Sequence, residues 1–147
     1  KRAFIVSDTM LVKLCMVEKL RSYFHKYGIA THVYSDVKPA PKLFEIMKGV
    51  KAMREFCPDL VIGFGGGSPL DAAKIMRLLY ENPDADFRAM AITFLDISKR
   101  SYRFPSLHED PKTTLMCVST TSGTGSEVTP FSVVTDEKTV IKYPLAD

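Results

Sequence analysis

Short apolar runs and helix-spaced apolar positions alternate along the chain. Residues 3–6 form an apolar run ending at Ser7-Asp8, a pair suited to capping a helix. Leu14, Val17, Leu20, Phe24 and Tyr27 then recur at helical spacing, and Gly28 supplies a stop. Residues 32–35 are expected as a second strand, followed by a loop over 36–41 that carries two prolines. Leu43, Ile46, Met47, Val50 and Cys57 mark one face of a second helix. Residues 59–64, DLVIGF, are nearly all apolar, as a strand covered on both faces should be. A third helix is expected over 72–80, broken by Asn82-Pro83-Asp84, and Phe87, Met90, Ala91 and Phe94 mark one more before an irregular stretch over 98–111. Residues 115–118 then read as a strand, 119–129 as a hydroxyl-rich loop, and 131–135 and 139–143 as two short strands.

Strand–helix–strand alternation implies right-handed crossovers and a parallel sheet with helices on both faces, so the fold class is α/β. The 147 residues fit one domain, 1–147. With 8 Gly, 9 Pro and 3 Cys, collagen-like, disordered and disulfide-scaffold classes are excluded. No apolar run reaches the ~18–20 residues of a membrane span. A net charge of +3 is too small to indicate nucleic acid. Cys15, Cys57 and Cys117, far apart and without a C-x-x-C, are expected as buried thiols in a reducing, cytoplasmic setting. The seven methionines are expected mostly on helix core faces. Opening on Lys1-Arg2 and closing on Asp147, the sequence is expected to be a piece of a longer polypeptide.

The sharpest chemical signal is Gly65-Gly66-Gly67-Ser68-Pro69-Leu70-Asp71-Ala72-Ala73-Lys74, set between an expected strand and an expected helix. Consecutive glycines permit positive φ and let a ligand approach the backbone. Ser68 suits the N-cap, Pro69 the first helical position, and Asp71 completes a Ser-x-x-acid capping pattern. Free N–H groups and the positive end of the helix then face the carboxyl edge of the sheet, a phosphate-binding arrangement. The bland alternative is a well-capped helix after a tight turn. There is no G-K-[ST] of a Walker loop, no G-x-S-x-G, and no glycine fingerprint on the first strand.

Asp36 ends the second strand on the same edge, where a carboxylate accepts from ribose hydroxyls and repels a 2′-phosphate. At ~4 Å and an effective dielectric near 20, that repulsion is roughly 4 kcal/mol, about a thousandfold in affinity, in favour of NAD over NADP. Its bland alternative is a turn residue before Lys38-Pro39. A second candidate follows another strand: Thr120 to Thr129 is rich in hydroxyls and glycines, and Thr124-x-x-Glu127 reads as a capping box for a short helix.

Three segments, GGGSPLDAAK, TTSGTGSEVTPFSVVTD and the closing IKYPLAD, together resemble the iron-containing alcohol dehydrogenases. More narrowly, with Phe94 to Pro105, they resemble the alcohol dehydrogenase part of the bifunctional aldehyde–alcohol dehydrogenases. The resemblance spans essentially the whole chain. It implies a Rossmann-like NAD-binding domain, whose family partner is a helical domain holding Fe²⁺ through one Asp and three His. It implies Asp36 at the adenosine ribose, and Gly66, Gly67 and Ser68 at the pyrophosphate with Asp71 beside them. Thr120 and Thr124 would touch the phosphates, Thr129 and Val133 the nicotinamide side, and Lys142 the nicotinamide ribose. It also implies hydride transfer between NADH and a small aldehyde such as acetaldehyde, and a homo-oligomer that extends into helical filaments in the bifunctional proteins.

The family's metal ligands fall outside this sequence, and His25, His32 and His108 lack the spacing of a metal site. They are expected to face solvent or bond locally, leaving the isolated chain inactive without a Lewis acid. Lys99, Arg100 and Arg103, interleaved with Tyr102 and Phe104, read as a solvated face or subunit contact rather than a nucleic-acid patch. The rival readings are a phosphotransferase with a glycine-rich turn, as in lipid or NAD kinases, and a non-catalytic nucleotide-binding or assembly module. Those kinase turns carry an acid between glycines, which residues 65–67 lack.

Overall fold

The computed structural model describes residues 1–85, 111–129, 131–136 and 141–146. In chain order the elements are β1 (Arg2–Val6), α1 (Thr9–Lys13), α2 (Met16–Lys26), β2 (Ala30–Tyr34), α3 (Leu43–Phe56) and β3 (Leu60–Gly65). They continue as α4 (Gly67–Glu81), β4 (Thr114–Ser119), β5 (Phe131–Asp136) and β6 (Ile141–Ala146). Four strands form a parallel sheet in the order β2-β1-β3-β4, and β5 and β6 pair as a separate antiparallel hairpin. The helix marked by Phe87, Met90, Ala91 and Phe94, the basic residues 99–103 and His108 lie outside the described residues.

Strand alternation sorts the core into two layers. Phe4, Val6 and Val61 pack with Ile46, Val50, Met53 and Met76 of α3 and α4 on one face. Ala3, Ile5, Ile62 and Phe64 pack with Leu11 and Val17 of α1 and α2 on the other. Helices therefore cover both faces, as the α/β reading expects. Because β2 and β3 lie on opposite sides of β1, the strand order reverses between β1 and β3, the place where open α/β sheets form a ligand crevice.

The first helix departs from the expected continuous stretch. Cys15 takes the left-handed conformation with φ 57° and separates α1 from α2. This resets the helical phase, so Val17 is buried while Leu14 and Tyr27, expected on the same face, are 60% and 82% exposed. Gly28 does close the segment, with φ +67°. In α3 the inward face is Ile46, Gly49, Val50 and Met53, leaving Met47 exposed.

The expectation of buried thiols is also corrected. Cys15 and Cys57 are exposed because each sits at a left-handed helix end, and Cys117 is only half-buried because β4 lies at the edge of the four-stranded sheet. Of the described methionines, Met53 and Met76 fill the core, whereas Met10, Met16, Met47 and Met116 are exposed. His25 and His32 are exposed, the first within 3.2 Å of Thr31 Oγ1 and the second stacked on Phe4.

Candidate functional site

The carboxyl ends of β1 and β3 are tied together where the strand order reverses. The buried Ser7 hydroxyl donates to the Phe64 carbonyl at 2.8 Å, and Asp8 caps α1 by accepting from the Leu11 N–H at 2.9 Å. Gly65 ends β3 with φ +151°, and a Cβ there would lie 2.7 Å from Pro69 Cγ and 3.4 Å from Asp8 Oδ2. Its carbonyl accepts from the Thr120 N–H at 2.9 Å, which draws the loop after β4 to the turn.

Helix α4 begins earlier than its sequence pattern indicates. Gly66, not Ser68, is the N-cap, so Pro69 falls inside the first turn rather than opening it. The cap is a glycine and brings no side-chain oxygen to the first turn, so the first N–H groups of α4 keep their donor capacity. Asp71 does not complete a capping box. Its Oδ2 accepts instead from the Val133 N–H at 3.2 Å and joins α4 to β5. Of the three consecutive glycines only Gly65 uses positive φ. Gly66 and Gly67 serve close approach: a Cβ would lie 3.2 Å from Thr121 Oγ1 at the first and 3.3 Å from Ser126 Oγ at the second.

The hydroxyl-rich loop thus folds against the glycine turn. Thr120 and Thr124 are exposed and Thr129 is half-buried. Thr124 Oγ1 accepts from the Ser126 N–H at 3.3 Å, and the Val128 and Thr129 N–H groups both donate to the Gly125 carbonyl. The result is a turn, not the short helix that Thr124-x-x-Glu127 led us to expect. Lys74 Nζ donates to the Thr129 carbonyl at 2.8 Å and fastens the end of the loop to α4. Val133 is 38% exposed beside this junction, and Lys142 stands on β6 opposite Thr135 of β5.

Asp36 lies apart from this cluster, beyond the end of β2. Two strand spacings of about 4.8 Å separate β2 from β3, so the edge runs roughly 10 Å from the end of one to the end of the other. Here a cavity of about 490 Å³ opens, lined among others by Tyr34, Asp36, Lys38, Lys42, Glu45 and Lys48. Thr9, one residue past the α1 cap, also lines it, so the β1–α1 junction lies between the cavity and the glycine turn. The Tyr34 hydroxyl donates to the Glu45 carbonyl at 2.7 Å. Burial, with the charges of Asp36 and Glu45 behind it, pushes the Tyr34 hydroxyl up to about 12. Burial also lifts the Asp71 carboxyl, against the Val133 N–H and Lys74, which favour its charged form. The Cys117 thiol is raised chiefly by burial as well, opposed by Lys74.

Sequence reasoning assigned no role to Lys74, Thr121 or Ser126, because each acts across a non-local contact. Their only advance signal was membership of the two motifs. Among the described residues no group of three His, Cys, Asp or Glu side chains is placed to hold a metal. No described helix is long and apolar enough to cross a membrane.

The family model for iron-containing alcohol dehydrogenase matches residues 1–147, and the chain belongs to that family, as its N-terminal portion. It is 47% identical over 148 residues to aldehyde-alcohol dehydrogenase 2 of Entamoeba histolytica, covering 99% of this chain and 17% of that one. It is 47% identical over 147 residues to the bifunctional aldehyde-alcohol dehydrogenase AdhE of Escherichia coli K12, covering 100% of this chain and 16% of that one. Among solved structures, an iron-containing alcohol dehydrogenase from Thermococcus thioreducens superposes with TM-score 0.87 at 26% identity, covering 100% of this chain and 37% of that one. The chain thus spans about a sixth of the curated relatives it matches first.

Proposed function

We propose that this chain is the NAD-binding α/β unit of an iron-dependent alcohol dehydrogenase of the aldehyde–alcohol dehydrogenase kind. The observation that carries the reading is a single edge of the sheet. An uncapped α4 N-terminus and the hydroxyl loop meet at the strand-order reversal, with the Asp36 cavity two strands away. Positive helix-end charge and unpaired N–H donors favour a pyrophosphate. Gly66 and Gly67 permit that approach, with Ser68, Thr120 and Thr124 as hydroxyl donors. Asp36, at the cavity, accepts from the adenosine ribose hydroxyls. Asp71 and Lys74 act as positioning residues that fix β5 and Thr129 against α4, so that Thr129, Val133 and Lys142 line the nicotinamide end.

On this reading NAD supplies the hydride acceptor and the whole protein acts on a small alcohol or aldehyde as a homo-oligomer. The iron ligands come from elsewhere in that protein, and this chain alone turns over no substrate. Chelator-insensitive reduction of NAD with ethanol by the folded 147-residue chain would contradict that statement. The binding claim is tested by calorimetric titration with NADH and with Mg-ATP, after circular dichroism has verified folding. Saturable NADH binding that weakens in Asp36→Ala supports it. Mg-ATP binding in preference to NADH would move the assignment to a phosphotransferase, and a folded chain that binds neither would refute it.

A further inference from the structure

The hairpin of β5 and β6 stands outside the four-stranded sheet, so what holds it to the domain decides where its residues lie. Strand β5 is fastened from two different parts of the molecule. From α4, the Asp71 carboxylate accepts from the Val133 N–H, and Lys74 donates to the Thr129 carbonyl just ahead of the strand. Toward its far end, the Thr135 N–H donates to the Pro41 carbonyl at 3.0 Å, and Lys42 pairs with Thr135 as an isolated parallel bridge. Pro41 belongs to the loop that begins at Asp36, and the same loop buries Val37 in the core cluster that holds Val134 and Ile46. Thr135 also faces Lys142 in the hairpin register. Two features weigh against this junction: Ala40, next to Pro41, sits at φ 54°, and the Thr135 hydroxyl is buried with no hydrogen-bond partner among the described residues. A ligand that fixes the loop therefore has room to shift the junction toward its clamped form.

Resting on the reading that Asp36 meets the adenosine and that Val133 and Lys142 line the nicotinamide end, we propose that Thr135 is a positioning residue coupling the two ends of the dinucleotide. A nucleotide seated at Asp36 orders the 36–42 loop. The loop, through the Pro41 carbonyl, holds Thr135, and with it the neighbouring Val133 and the facing Lys142. The N–H of Thr135 is spent on Pro41, so Thr135 acts through these neighbours and not on the ligand. One hydrogen bond carries at most about tenfold in affinity, which sets the upper limit of the coupling.

The experiment is amide hydrogen exchange of the wild-type chain with and without saturating 5′-AMP, joined by calorimetry of 5′-AMP and NADH on wild type, Thr135→Pro and Thr135→Val. Proline removes the N–H that Pro41 accepts and spares the pairing of β5 with β6, because that N–H points away from β6. Valine keeps the N–H and deletes the unpartnered hydroxyl. In wild type and Thr135→Val, 5′-AMP is expected to slow exchange at positions 133 and 135 by about fivefold or more. In Thr135→Pro the response of Val133 should vanish, with NADH weakened by about tenfold and 5′-AMP within about twofold of wild type. The wild-type exchange comparison stands without either variant. Bound 5′-AMP that leaves exchange at 133 and 135 unchanged would overturn the proposal while leaving the dinucleotide site standing. So would a Val133 response that survives in Thr135→Pro, or a variant that weakens both ligands alike. Failure of the folded wild-type chain to bind 5′-AMP and NADH would instead overturn the underlying assignment.

Discussion

Replacing Gly65 by alanine probes the turn on which the site depends. Gly65 holds φ +151°, and an added Cβ would meet the Pro69 ring at 2.7 and 3.0 Å. Two costs add. An L-residue forced into that conformation costs about 1–3 kcal/mol. Overpacking against a proline ring, which has no rotamer to yield, costs about 1–3 kcal/mol more. The sum of about 2–6 kcal/mol compares with roughly 7–15 kcal/mol of total stability for a domain of this size, so the variant still folds. Gly123→Ala is the internal control, since Gly123 has φ +101° but nothing within 4 Å of the added carbon. It should show the conformational cost alone, about 1–3 kcal/mol. Urea denaturation of both variants, with thermal midpoints as a check, measures the difference. Gly65→Ala should melt about 10 °C lower than wild type, at about 3 °C per kcal/mol. Equal destabilisation of the two variants would refute the packing argument, and a loss below about 0.5 kcal/mol at Gly65 would refute both terms.

Three further outcomes are expected. Because burial raises the Asp71 carboxyl, the folded chain binds that proton more tightly than the unfolded one. Its contribution is full below the ordinary value of 3.8 and is lost as pH rises through the folded value. Asp71→Asn keeps an acceptor for the Val133 N–H and should flatten that stretch of the stability–pH curve; an unchanged slope would contradict the assignment. Glu81 accepts from the Thr113 N–H at 2.7 Å, the Thr113 hydroxyl at 2.6 Å and the Lys112 N–H at 3.1 Å, tying the end of α4 to the start of β4. Glu81→Ala should cost about 2–4 kcal/mol in urea denaturation, because the Thr113 N–H and hydroxyl lose their acceptor at a buried residue that keeps only its bonds from Arg77, and a neutral result would show the network to be dispensable. Tyr34, raised to about 12, should give a late phase in an ultraviolet absorbance titration. Its contribution to stability is full below pH 10 and falls away toward pH 12. Tyr34→Phe should remove the component near pH 12, leaving that of Tyr80, which burial also raises, and a wild-type titration complete near pH 10 would rule out the raised value.

Legibility in the sequence followed how local each determinant is. The strands at 3–6, 59–64 and 115–118 were readable because the sheet buries β1 and β3 and each run is short, apolar and bounded by polar residues. The glycine turn was placed correctly at a strand-to-helix junction, since strand, glycines and helix are consecutive in the chain. Its capping was misread: Ser68 and Asp71 have the right chemistry, but the helix starts at Gly67, and Asp71 is claimed by the Val133 N–H far along the chain. The break at Cys15 was illegible because the apolar spacing continues across it, and only packing of Val17 under the sheet selects the new phase. The hydroxyl loop was found by composition. That it folds onto Gly66 and Gly67, fastened by Lys74, depends on contacts that periodicity does not encode. The link between Pro41 and Thr135 joins segments far apart in the sequence, which meet only in the folded chain.

A crystal structure of the chain with NADH bound decides most directly whether this sheet edge is a dinucleotide site. The expected result places the ribose hydroxyls of the adenosine on Asp36 and the pyrophosphate against the N–H groups at 66–68, with Thr120 and Thr124 beside it. A dinucleotide bound elsewhere, or one running along the edge with its adenosine away from Asp36, would contradict the assignment.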